Sequence, residues 1–147
     1  MGRLCSSRYE RFARQRGWMR VAGIDEAGRG SLFGPVVAAA VILDPRRRIV
    51  GLDDSKKLSH ARRATLAERI KRHAIDFTIA QVDASRIDAW NIYEASRQAM
   101  QTAVTSLTIP PDYLLIDAME LHLPLEQRSL IHGDARSVSI AAASILA

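Results

Sequence analysis

Two hydrophobic periods alternate along the chain, one of two residues and one of about 3.6, and the switches between them mark its elements. Val21–Ile24 and Val36–Leu43 are β-branched or small apolar runs on either side of a glycine-rich stretch, Gly28-Arg29-Gly30. They predict two neighbouring buried strands. Ser59 is a candidate helix N-cap, and Leu66, Ile70 and Ala74 follow it at helical spacing with basic residues outside. Phe77 to Val82 alternates and predicts a third strand. Ile92, Ala95, Ala99, Ala103 and Leu107 form a second helical stripe, stopped by Pro110-Pro111. Tyr113–Ile116 predicts a short strand ending at Asp117, and Ser129–His132 another ending at Gly133-Asp134. Val138 to Leu146 predicts an Ala-rich helix. Strands first in a hairpin and then alternating with helices imply an α/β fold, a mixed sheet flanked by helices.

Composition narrows the class. The 147 residues are enough for one ordinary domain, with 48% hydrophobic and 25% charged side chains, as in soluble globular proteins. No run approaches the roughly 20 apolar residues that a membrane span needs. Cys5 is the single cysteine, which excludes an internal disulfide and fits a reducing cytoplasm. Six arginines from Arg3 to Arg20 face only Glu10, so residues 1–20 read as an Arg-rich extension before a domain at 21–147.

The net charge of +5 is unevenly spread. Residues 1–72 hold 17 basic and 7 acidic side chains, whereas residues 73–147 hold 4 and 9. The first half suits a polyanion and the second a cation, although basic runs are often only solvated surface.

Asp25-Glu26, Asp117 and Asp134 each fall just past an apolar strand, where α/β sheets build their sites. Carboxylates converging there repel one another, and a hard divalent cation resolves the conflict. Two such ions can activate a water and stabilise the leaving oxygen of a phosphodiester. Taken singly, each acid could be a turn former or cap, and Asp134 could cap the helix that begins near Ser137.

At this point the residues match a family. Gly23-Ile24-Asp25-Glu26-Ala27-Gly28-Arg29-Gly30 with Gly34-Pro35-Val36-Val37, then Leu52-Asp53-Asp54-Ser55-Lys56-Lys57-Leu58-Ser59, resemble the first two blocks of bacterial ribonuclease HII, the type 2 ribonuclease H. Leu115-Ile116-Asp117 and Gly133-Asp134-Ala135 through Ser139–Ala147 resemble its third and fourth. The resemblance implies a ribonuclease H-like fold with a five-stranded mixed sheet. It also implies an endonuclease that cuts the RNA strand of RNA–DNA hybrids and ribonucleotides embedded in duplex DNA, leaving 3′-hydroxyl and 5′-phosphate ends. Asp25, Glu26, Asp117 and Asp134 match the catalytic acids that hold Mg²⁺ or Mn²⁺. Gly28, Arg29 and Gly30 match the reader of the RNA-to-DNA junction, where glycines allow close approach to the 2′-hydroxyl. Ser55, Lys56 and Lys57 match positions that hold substrate phosphates. A monomer is implied, with no membrane partner.

The chain departs from the family at Ser31, usually proline, and at Ala118, often glycine. It also ends at Ala147, inside the last predicted helix, where family members continue. A version lacking the family's C-terminal helices and their junction-stacking tyrosine is expected to cleave weakly. The alternatives are a catalytically silent nucleic-acid-binding fragment and a truncated product without function.

Overall fold

The computed structural model describes residues 5–27, 35–83 and 92–147. The junction segment Gly28-Arg29-Gly30 and Ser31 lie outside the described residues. In chain order the elements are α1 (Arg8–Gln15), β1 (Val21–Ala27), β2 (Val36–Ile42), α2 (His60–His73), β3 (Asp76–Val82), α3 (Ile92–Thr105), β4 (Tyr113–Asp117), β5 (Glu126–Leu130) and α4 (Val138–Leu146). The sheet runs β3-β2-β1-β4-β5. Its β3–β2–β1 half is antiparallel and its β1–β4–β5 half parallel, the mixed sheet expected from the sequence.

Because β1 and β2 lie inside the sheet with both faces covered, both read as near-continuous apolar runs. One face packs α3 through Ala99, Met100 and Ala103 against Ala22, Ile24, Ala40 and Ile116. The other packs α2 and α4 through Leu66, Ile70 and Ala141–Ala143 against Ala39 and Val41. Helix α1 closes the β1–β4 end of this second face, with Tyr9 and Ala13 against Val21, Tyr113 and Leu115. Ser59 caps α2 as expected, its Oγ accepting from the Arg62 N–H at 3.1 Å.

Three boundaries differ from expectation. β1 continues to Ala27 because it stays paired with β2, so Asp25 and Glu26 lie within the strand and not just past it. The strand read at Ser129–His132 is β5, Glu126–Leu130. It is an edge strand placed by main-chain pairing, from Tyr113↔Glu126 to Asp117↔Leu130, and side-chain burial has little part in it. Ile131, which supplied half of the apolar signal, is 69% exposed. Helix α3 stops at Thr105, well before Pro110-Pro111, while Leu107 remains buried beyond its end.

β1 and the start of α4 approach each other closely. A Cβ at Gly23 would overlap the Ser139 carbonyl and the Ile140 nitrogen. Glycine alone lets the helix lie flush on the strand. A second tie comes from α1. Glu10, 1% exposed, accepts at Oε2 from the Ser137 hydroxyl at 2.7 Å and from the Ser139 N–H at 2.9 Å. A carboxylate at a helix N-terminus satisfies free N–H groups and meets the positive end of the helix dipole. Gly23→Ala forces backbone apart from backbone, so we expect about 2–4 kcal/mol of lost stability, as for severe overpacking of a core. Urea unfolding measures it, and a loss below ~1 kcal/mol would show that α4 can shift freely on β1.

Candidate active site

The sheet register brings two of the four acids together. Ile24 pairs with Ile116 in the parallel β1–β4 ladder, so Asp25 and Asp117 follow one step beyond at the same level. By the two-residue alternation, Asp25 shares the α4-facing side with Gly23, and Asp117 shares it with Leu115. Asp134 arrives from the 3-10 turn Gly133–Ala135 between β5 and α4. That turn is held to β4 by the Gly133 N–H, which donates to Asp117 Oδ1 at 2.8 Å. Asp134 does not cap α4. Ser137 does, its Oγ accepting from the Ile140 N–H at 3.2 Å. Glu26 falls on the strand's other side, with Ala22 and Ile24, although its charge still acts on Asp25.

Burial and like charge act together on Asp25, Asp117 and Asp134. Burial pushes the Asp25 carboxyl up to about 9, and the charges of Asp117, Glu26 and Asp134 add to it, against a hydrogen bond from the Glu26 N–H. No cationic side chain is among those influences. Burial also raises Asp134, to about 6, helped by a hydrogen bond with Asp54 and the charges of Asp54 and Asp117. Lys56 is the nearby cation that opposes this rise.

Asp54 is a site residue that the sequence reading quoted without giving it a role. Besides meeting Asp134, its carboxylate accepts from the Lys56 N–H at 3.0 Å and so starts the 3-10 turn Ser55–Lys57. The only prior signal was its place beside the Ser55–Lys57 block. Ser55 Oγ sits 3.0 Å from Ser144 Oγ, tying this turn to α4, and Lys56 and Lys57 are exposed. Cys5 lies against the same region, its thiol donating to the Asp134 carbonyl at 3.6 Å. Burial, with the charges of Glu10, Asp53 and Asp134, pushes that thiol up to about 12, which favours its protonated form.

Among the described residues, no three acidic, histidine or cysteine side chains already stand in an arrangement that would hold an ion. The donor chemistry nevertheless fits a divalent cation, because these are hard carboxylate oxygens, mutually repelling and short of positive charge. Ala118, directly after Asp117, takes φ +53, the left-handed region that costs an L-residue roughly 1–2 kcal/mol.

Comparison with known proteins agrees with this architecture. The family model described as Ribonuclease HII matches residues 22–147. The chain is 58% identical over 143 residues to the ribonuclease HII of Koribacter versatilis (strain Ellin345), covering 97% of this chain and 56% of that relative. It therefore spans little more than half the length of that relative. The structure of a PCNA:RNase HII complex from Archaeoglobus fulgidus superposes with a TM-score of 0.73 at 30% identity, covering 87% of this chain and 70% of that one. Bst-RNase HIII, solved in complex with Mn²⁺, shares the fold with a TM-score of 0.67 at 22% identity, covering 91% and 52%.

Two stability measurements test the local physics. The folded chain keeps a proton on Asp25 up to about pH 9, whereas an unfolded chain releases it near 3.8. Without metal, stability therefore falls as pH rises through that window and carries no such penalty below it. Asp25→Asn keeps an acceptor for the Glu26 N–H and should flatten this dependence, adding roughly 1–3 kcal/mol at pH 8. An unchanged pH profile would contradict the buried-charge account. Ala118→Gly relieves the left-handed strain and should add about 0.5–1 kcal/mol after the extra chain entropy of glycine. Thermal denaturation reads this as a small rise in Tm, and a fall would show the strain to be negligible.

Proposed function

Since the chain belongs to the ribonuclease HII family, we propose that it carries the catalytic centre of an endonuclease acting on nucleic acid. The substrates are the RNA strand of RNA–DNA hybrids and ribonucleotides embedded in duplex DNA. The observation that carries this reading is the gathering of Asp25, Asp117 and Asp134 in a setting that raises Asp25 by burial and like charge. Asp25, Asp117 and Asp134 would hold Mg²⁺ or Mn²⁺, and Glu26, expected from the sequence to join them, lies on the strand's other side and adds only its charge. When bound, a pair of such ions supplies an activated water and stabilises the leaving 3′-oxygen. Water adds to phosphorus as the P–O3′ bond breaks, leaving a 3′-hydroxyl and a 5′-phosphate.

The chain's own groups orient that reaction. The Gly133 N–H fixes one oxygen of Asp117. Lys56, close enough to act on Asp134, is placed to take a phosphate beside the scissile one, with Ser55 and Lys57 in the same turn. Gly28, Arg29 and Gly30, outside the described residues, complete the reading as the junction contact. The Mn²⁺ of the HIII neighbour belongs to that protein, and for this chain the ion rests on the donor set. Among the described residues, no helix is long and apolar enough to cross a membrane. The proposal takes a monomer working on nucleic acid in the cytoplasm.

Asp117→Asn tests the centre directly. It preserves shape and removes charge, so cleavage of a hybrid and of a duplex with one ribonucleotide should fall roughly a thousandfold or more in Mg²⁺ and in Mn²⁺. Hybrid affinity should hold or tighten, because repulsion toward phosphate is relieved. Undiminished turnover would defeat the assignment, and binding without cutting by the unaltered chain would favour a silent binding module.

A further inference from the structure

The basic side chains of the first half meet across a cavity that the reaction above does not use. It has a volume of about 480 Å³ and lies between the N-terminal segment and the β2–α2 connection. Its walls set Arg11 and Arg14 of α1 opposite Arg47 and Arg48. Arg11 and Arg14 share a helix face, being three residues apart. Two carboxylates also line the cavity; Asp44 is engaged elsewhere, and Glu10 is engaged through Oε2 only, its buried Oε1 having no partner among the described residues. Asp44 accepts from the Arg46 N–H at 2.9 Å and pairs with its guanidinium at 3.3 Å. Glu10 is fully covered and bonded to the start of α4. Arg47 lies 3.2 Å from His73 Nδ1. Arg11, Arg14 and Arg48 make no ion pair among the described residues.

Four guanidiniums around one concavity repel each other, and its walls focus their field on any anion that enters. Their planar forks match the oxygens of a phosphate. Arg11, Arg47 and Arg48 are exposed while Glu10 is buried, so an incoming anion meets the arginines first. The cavity also adjoins the acid centre. Cys5, in its wall, bonds the Asp134 carbonyl, and Leu52, also lining it, directly precedes Asp53 and the Asp54 that meets Asp134.

We propose that this cavity is a second phosphate-binding cleft, gripping the phosphodiester backbone of the duplex at a position flanking the cut. The inference rests on the reading that a duplex is the substrate. It divides the work between an acid centre that holds the scissile phosphate and an arginine cleft that fixes the direction of the helix leaving it.

The test is the double variant Arg11→Gln/Arg48→Gln, measured by fluorescence anisotropy without metal on a long hybrid and on a short one limited to the base pairs around the cut. Two lost phosphate contacts should weaken long-hybrid binding roughly 10–100-fold at moderate salt and make its log–log salt slope shallower by about 1.8. The short hybrid should bind, and be cut with metal, as by the unaltered chain. Tm should not change, since both residues are exposed and unpaired. If it drops, Arg48→Gln alone, on the exposed connection, should still show about half the slope change. Unaltered long-hybrid affinity and slope would overturn the cleft. So would a cavity that answers only to inorganic phosphate, which would raise Tm in the unaltered chain while the hybrid slope stays the same in the variant. If the unaltered chain cuts nothing, the nuclease reading fails separately, because the metal-free binding comparison still decides the cleft.

Discussion

Helix α4 meets strand β1 with no side chain between them, and the site depends on that contact. Gly23 leaves room for the Ser139 carbonyl and the Ile140 nitrogen to touch the strand. Glu10 then holds the same helix end from the α1 side through Ser137 and Ser139. The turn just before α4 carries Asp134, and its Gly133 N–H reaches Asp117 on β4. A helix standing further from β1 would carry Asp134 away from Asp25 and lengthen the Gly133–Asp117 bond. Two residues that touch no substrate therefore set the spacing of three that would.

That spacing is costly to an empty fold. Asp25 is 4% exposed, and burial and neighbouring carboxylates both work against its charge. A single isolated buried charge would cost several kcal/mol and would normally be excluded or neutralised. Here the sheet carries the cost, since Asp25 within β1 and Asp117 at the end of β4 follow Ile24 and Ile116, which are wholly buried. Packing on both sheet faces leaves the carboxylates no easy retreat from one another. A cation entering would find carboxylates brought near one another by the core, though not yet in a coordinating arrangement.

Much of this was legible in the chain, for identifiable reasons. β1, β2 and β4 are central and apolar, and α4 is a run of small apolar residues behind a serine cap, so hydrophobic period alone located them. β5 was misplaced because an edge strand reading Glu-Gln-Arg-Ser-Leu carries little of that period. The roles of Glu10 and Asp54 could not be read locally. Glu10 looked like one acid among arginines, yet its partners lie 127 and 129 residues away. Asp54 acquires a role only when the β5–α4 turn folds over to meet it. Asp134 looked like a possible cap until the helix start placed Ser137 in that position, freeing the carboxylate for the cluster.

The charge asymmetry can now be read as a physical requirement. A cluster of carboxylates repels a phosphodiester at the distance where it must act, and a bound cation offsets that repulsion only at close range. Something has to draw the polyanion in before the ion can take hold. Charges separated by more than a Debye length, about 8 Å at physiological salt, contribute little unless several act together. The basic residues are grouped accordingly: Lys56 stands by Asp134, and four arginines line a cavity whose wall includes Leu52, two residues before Asp54. Asp25 and Asp134 are buried and Asp117 half-buried, while Lys56 and the arginines Arg11, Arg47 and Arg48 are exposed. An approaching backbone therefore meets attraction first and repulsion only where a metal can cancel it.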